Sequence, residues 1–237
     1  MSLWNNLRKQ IEEENKNNPA GFLRQPTIRK CLHPLQSEMQ NYLKKTGDYC
    51  RYFTDPIYGN PQILVEGKSS VTIQHVYYTW LMKKTWKNIS FDNIVDIGAG
   101  YGNSCRLWKH LGHLGNYTIA DFPEFHNMQK TYLEQTSNTK NVKFKTIQDC
   151  WDNEGGLLQA TFSLNEMPLS DRTYIENNLN KYDHIFIAHN KDFDGIDNLS
   201  YFTQLGEDLK SQSYEVLHYN CDVYSKCWFF MAKRLIL

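Results

Sequence analysis

Two stretches of the chain hold the residue types and spacings that ligand chemistry requires. In "FDNIVDIGAGYG" (91–102) an apolar run contains Asp96 and is followed by Gly98, Gly100 and Gly102 on alternate positions. Glycine at a strand-to-helix turn permits positive φ angles and lets a ligand approach the backbone. A plain βα turn would also use glycine, so the acid decides the ligand. A dinucleotide calls for G-x-G-x-x-G with its pyrophosphate at the helix N-terminus. Here Asn103 stands where the third glycine belongs, and Asp96 would repel a pyrophosphate. An ammonium or sulfonium group would be attracted instead. S-adenosylmethionine (SAM) carries both cations and no phosphate, so the electrostatics select it over NAD. The second stretch, "NYTIAD" (116–121), ends on Asp121, 23 residues beyond Gly98. A carboxylate at that distance, at the end of the next strand, is placed to accept both ribose hydroxyls. Its plainer reading is an N-cap for a helix opening at Pro123.

These residues need a parallel sheet to position them, and the pattern from residue 92 onward supplies one. Strands are expected at 93–98, 116–121, 141–147, 156–164 and 182–189, with helices at 102–112, 123–136, about 170–179 and 199–211 between or after them. Repeated βα units imply an α/β fold with helices on both faces of the sheet. The segments 214–220 and 227–235 follow one another with no helix between, which argues for an antiparallel edge hairpin. Residues 1–87 read as a mainly helical N-terminal region, with helices at 3–16 (Leu3, Trp4, Leu7 and Ile11 on one face), 34–45 (opened by Pro34) and 69–87. One strand is expected there, at 62–66. The boundary to the α/β domain, 88–237, falls near residue 88.

Composition narrows the function classes. The chain has 237 residues, with 26 Lys+Arg against 26 Asp+Glu. Zero net charge removes the broad basic footprint of a nucleic-acid binder. No apolar run is long enough to span a membrane, and the polar N-terminus lacks a signal-peptide core. Six cysteines, at 31, 50, 105, 150, 221 and 227, form no C-x-x-C pair. They read as reduced thiols of a cytoplasmic protein.

The segments "GNP" (59–61), "YYTWL" (77–81), "DIGAGYG" (96–102), "YTIADFPE" (117–124), "FSLNEMP" (162–168) and "HNK" (189–191) carry a family resemblance. The chain resembles class I SAM-dependent methyltransferases and, more narrowly, the sugar O-methyltransferases found among polysaccharide and surface-glycan genes. The resemblance runs from about residue 55 onward. It implies a Rossmann-like, mostly parallel seven-stranded sheet, SAM as cofactor, and methyl transfer to a hydroxyl of a sugar or glycan precursor.

Methyl transfer is an in-line displacement in which positioning is worth ~7–11 kcal/mol. A general base adds roughly 10²–10⁴-fold for a hydroxyl nucleophile. The carboxyl ends of the fourth and fifth strands present Ser163, Asn165 and Glu166, and His189, Asn190 and Lys191. His189 is the expected base, because imidazole titrates near working pH, and Glu166 is its rival. The plain alternatives are a strand-capping histidine and a first-turn carboxylate favoured by the helix dipole. Asn165, Asn190 and Lys191 suit an acceptor, although asparagine is also common in turns. Ser163 and Asp149, the latter after the third strand where methyltransferases often meet adenine, are assigned to the cofactor. Tyr77 and Tyr78, with Trp80, are candidates for a stacking wall, against core packing for at least two of the three. His75 reads more simply as a surface histidine.

Rival readings carry less weight. "DPIY" (55–58) approaches the loop of nucleic-acid amino-methyltransferases but lacks the second proline. Asp192 and Asp194 would serve a metal-assisted mechanism, but "KDFDGIDN" reads equally as a solvated loop, so no metal is assigned. The wider alternatives are a non-catalytic SAM-fold binding module and a methyltransferase acting on another small molecule. Oligomeric state is not encoded in any pattern.

Overall fold

Short β-branched and aromatic runs, each closed by Gly, Asp or Asn, become strands, while the amphipathic stretches between them become helices. The computed structural model describes residues 3–31, 36–87 and 89–235. Pro34, residue 88 at the expected boundary, and the side chains of Leu3, Trp4 and Cys31 lie outside the described residues. The chain divides into two units. One comprises Met1–Ile89, Gly100–His113 and Pro123–Lys140; the other comprises Ser90–Ala99, Leu114–Phe122 and Asn141–Leu237.

The first unit holds helices α1 (Leu3–Asn17), α2 (Pro26–Cys31), α3 (Gln36–Thr46), α4 (Ser70–Thr85), α5 (Asn103–His110) and α6 (Pro123–Thr136). It also holds a short hairpin, β1 (Ile63–Val65) with β2 (Lys68–Ser69). The hairpin turn places Glu66 at φ 46° and Gly67 at φ 73°, the two positive angles a two-residue turn demands. Ser69 caps α4 by accepting from the Thr72 amide at 3.3 Å. Two short helical pieces, Pro19–Arg24 and α2, arise where the sequence shows only breakers. In each, proline begins the helix, where its missing N–H costs nothing.

The second unit is built on a seven-stranded sheet. Its strands are β3 (Asn93–Ile97), β4 (Asn116–Ala120), β5 (Val142–Lys145), β6 (Leu157–Thr161), β7 (His184–Asn190), β10 (Tyr214–Asn220) and β11 (Cys227–Arg234), in the order β10-β11-β7-β6-β3-β4-β5. The pairs β5–β4, β4–β3, β3–β6 and β6–β7 are parallel, and β11 joins β7 and β10 antiparallel. The sheet and its C-terminal hairpin are thus as expected. Val95, Ile97, Leu158, Ala160, Ile185, Ile187 and Phe230 bury one face against α7 (Leu169–Glu176) and α8 (Asn198–Ser211), through Ile175, Phe202, Leu205 and Leu209.

Two local expectations are corrected. The strand expected at 156–164 ends at Thr161, because Phe162 adopts φ 63° and Leu164–Glu166 wind into a single 3₁₀ turn. "KDFDGIDN", read as a loop, contains a hairpin, β8 (Asp192–Phe193) with β9 (Ile196–Asp197). Its Asp194-Gly195 turn has φ 50° and 79°, the Asp-Gly signal of a tight hairpin. Asp197 then caps α8, accepting from the Ser200 amide at 3.0 Å.

Candidate functional site

The strand order reverses at β3. Strands β4 and β5 lie on one side of it, and the chain then returns to lay β6 on the other. Such switch points open a crevice at the carboxyl ends of the strands, and the glycine turn begins there. Gly98, Gly100 and Gly102 have φ of 66°, 59° and 93°. A Cβ on Gly98 would collide with that of Ser163, whose Oγ donates to the Ile97 carbonyl. A Cβ on Gly100 would meet no atom within 4 Å. The first glycine therefore permits close packing, and the second leaves open space. Phe162, a non-glycine held at positive φ just after β6, turns the chain so that Ser163 returns to β3.

Asp96 is fully buried on the sheet face opposite the one that packs α7 and α8. Its Oδ2 accepts from the Tyr117 hydroxyl at 2.8 Å, which itself accepts from Gln159 Nε2 at 3.0 Å. Its Oδ1 has no partner. Burial pushes this carboxyl up to about 6, with the hydrogen bonds opposing. An orphaned carboxylate oxygen in a dry setting fits a cationic ligand group. Asp121, 5% exposed, ends β4's neighbourhood, where its Oδ1 accepts from the Phe122 amide at 2.8 Å. Asp149 is exposed in the turn after β5 and accepts from Thr146 Oγ1 at 2.6 Å.

On the acceptor side, Asn165 is fully buried while Ser163, Glu166 and Asn190 are partly exposed, and Lys191 is exposed. His189 is buried, in phase along β7 with Ile185 and Ile187. Its Nδ1 lies 2.9 Å from the Asn190 carbonyl and its Nε2 lies 3.0 Å from His218 Nε2. A carbonyl only accepts, so Nδ1 carries the proton and the Nε2 lone pair accepts from His218. Burial pushes the imidazole down to about 3, and the neighbouring His218 and Arg172 add to the effect.

Within the first unit, Tyr77 and Tyr78 are buried side chains of α4. Tyr77 packs 4.7 Å from Tyr42 and 5.6 Å from Trp80. A polar network not foreseen from the sequence surrounds the start of α5. Asn103 donates to Thr72 Oγ1 at 3.2 Å and accepts from Arg106 Nε at 3.0 Å, and Thr72 donates to Asp55 at 2.7 Å. His75 joins this network beside Asn103 at 3.3 Å, and burial next to Arg106 lowers its pKa to about 4. Gln129 on α6, fully buried, donates to the Gly100 carbonyl at 2.8 Å and so holds the glycine turn. Only spacing across separate helices assembles these partners, so no local motif announces them. Among the described residues, no group of three or more His, Cys, Asp or Glu side chains is arranged to hold a metal ion. Among the described residues, Cys50, Cys105, Cys150, Cys221 and Cys227 are buried and outside any disulfide. No helix among the described residues is long and apolar enough to cross a membrane.

No protein-family model matches the chain, and no curated protein matches it by sequence. Solved structures do match. The methyltransferase domain of bacterial CtHen1 superposes with a TM-score of 0.52 at 10% identity, covering 66% of this chain and 96% of that one. An S-adenosylmethionine-dependent methyltransferase from Clostridium acetobutylicum gives 0.51 at 12% identity, over 65% and 89%. The glycopeptide N-methyltransferase MtfA gives 0.52 at 8% identity, over 67% and 90%. The likeness is one of fold: the chain has the Rossmann-like fold seen in these SAM-dependent methyltransferases.

Proposed function

We propose that the protein is a SAM-dependent O-methyltransferase whose acceptor is a hydroxyl of a sugar or glycan precursor. The observation that carries the cofactor reading is the unpartnered, buried Asp96 oxygen beside a glycine turn that leaves open space at Gly100. SAM would supply an electrophilic methyl group on a sulfonium. Asp96 offers its charge to the cationic part of the cofactor. Gly98, Gly100 and Gly102 present backbone, Asp121 takes the ribose hydroxyls, and Ser163 and Asp149 complete the cofactor set.

The acceptor hydroxyl is oriented by Asn165, Asn190 and Lys191. Transfer of a methyl group to this hydroxyl would release its proton, which a nearby base would take. Glu166 is the better-placed base of the two candidates. It is partly exposed at the carboxyl end of β6, whereas both nitrogens of His189 are engaged and its basicity is low. His189 then acts by fixing the Asn190 carbonyl. The sugar specificity rests on the resemblance of the "SLNEM" and "HNK" segments, since the fold neighbours act on varied acceptors.

Calorimetric titration with S-adenosylhomocysteine (SAH), with NADH as control, tests the cofactor site. Binding of the nucleoside thioether to wild type and its loss in Asp121→Ala is the expected result. Binding of NADH alone would overturn the reading. With the acceptor in hand, Glu166→Gln is expected to bind SAH normally and lose transfer by roughly 10²-fold or more.

A further inference from the structure

Three buried side chains near the carboxyl ends of β6 and β7 carry polar atoms that the fold leaves without a hydrogen-bond partner. Arg172 on α7 is 0% exposed. Its Nε donates to the Met167 carbonyl at 2.9 Å and its Nη2 to the Asn165 carbonyl at 2.7 Å. Its guanidinium lies 4.6 Å from the centre of the Tyr201 ring, whose hydroxyl donates to Glu176. Nη1 has no partner, and among the described residues Arg172 forms no ion pair. Asn165 and Asn198 are each 0% exposed, and neither atom of either carboxamide has a hydrogen-bond partner.

The three belong together. Arg172 holds the backbone of Asn165. Asn198 opens α8 one turn before Tyr201 and on the same face. The Leu199 amide donates to the Lys191 carbonyl at 3.0 Å, tying the start of α8 to the segment that follows β7. Ser163, Glu166 and Met167, in the same segment as Asn165, are partly exposed.

An unsatisfied buried polar group is costly; Glu176 and Tyr201 favour the Arg172 charge, but its Nη1 and both carboxamides stay unpartnered. The ligand that would satisfy this set is an oxyanion bearing hydroxyl groups. The guanidinium fork matches a carboxylate or phosphate, and the carboxamides both donate and accept. Resting on the methyltransferase reading above, we infer that the acceptor is an acidic sugar, its oxyanion bound by Arg172 Nη1 with the carboxamides of Asn165 and Asn198. Anchoring the acid beneath the 163–168 segment sets a hydroxyl beside Glu166, one residue from Asn165.

The test uses the full chain saturated with SAH and titrated at constant ionic strength. The probes are hexuronates, hexose 1-phosphates and the neutral parent hexoses (glucose, galactose, mannose). At least one acid should bind tenfold or more tightly than its neutral parent, a difference of about 1.4 kcal/mol. The preference should disappear in Arg172→Gln and in Asn198→Ala. Binding of uronates alone identifies a carboxylate; binding of the 1-phosphates alone identifies a phosphate. Because Arg172→Gln also loosens the segment it braces, Asn198→Ala provides an independent reading. A carboxamide that waits for ligand gives up no hydrogen bond on removal, so this variant should melt at or above the wild-type temperature. A fall in its melting temperature, or equal affinity for acid and neutral sugars, would overturn the inference. Failure of SAH itself to bind would instead remove the methyltransferase reading beneath it.

Discussion

At the scale of single residues, the electrostatics of Asp96 give the sharpest expectation. Burial raises its carboxyl from 3.8 to about 6, a difference corresponding to roughly 3 kcal/mol. The folded chain therefore holds this proton more tightly than the unfolded chain. The associated stability is complete below about pH 4 and is lost as pH rises through about 6. Asp96→Asn removes the cost of ionisation. Its stability advantage over wild type should grow from pH 5 to pH 7.5, as read by chemical denaturation at the two pH values. A constant difference would mean that Asp96 ionises as freely as an exposed acid. If the carboxylate meets the cationic end of the cofactor, SAH affinity should rise over the same interval in wild type and stay flat in the variant. The places of Asp96 in β3 and Asp121 just after β4 are legible in the sequence, because each lies in a short apolar strand run. His189 is not legible in the same way. The partner that occupies its lone pair, His218, is 29 residues away, on β10, and is brought near only because β11 pairs with both strands. Arg172 is hidden for a similar reason, since in sequence it resembles any charged residue of a surface helix.

At the scale of elements, the glycine turn separates packing from ligand approach. Gly98→Ala forces a side chain into Ser163 at φ 66°. It is expected to lower stability by about 1–3 kcal/mol, seen as a reduced denaturation midpoint. Gly100→Ala carries only the backbone penalty of a left-handed alanine, about 1–2 kcal/mol, because the space around it is open. Its larger effect should fall on SAH affinity. The idea fails if Gly100→Ala binds SAH as wild type does. The order and type of the elements from β3 onward could be read from hydrophobic periodicity, since each strand is a continuous buried run. The helical pieces near Pro19 and Pro26 could not, because proline there signals a break and a helix start with equal force. The β8–β9 hairpin was concealed by its charge, although its Asp-Gly turn was the usable cue.

At the scale of the whole molecule, balanced charge bears on which acceptors the fold can serve. A fold does not fix its acceptor, so the sheet alone does not choose one. A protein that tracks a nucleic-acid backbone gathers Lys and Arg to displace counterions, and its binding weakens steeply with salt. This chain has equal numbers of acidic and basic residues. Arg172 is fully buried, bonded to the backbone of the 163–168 segment, and so does not contribute to a basic surface. The expectation is that fluorescently labelled single-stranded and duplex RNA show no change in anisotropy with the SAH-loaded protein at physiological salt. Submicromolar binding with a steep salt dependence would move the acceptor from sugars to nucleic acid, while leaving the cofactor site unchanged. The SAH-induced rise in melting temperature separates these cases, because it depends on the cofactor alone. At a hundredfold excess over its dissociation constant, SAH should add about 2.7 kcal/mol, whatever acceptor the protein serves.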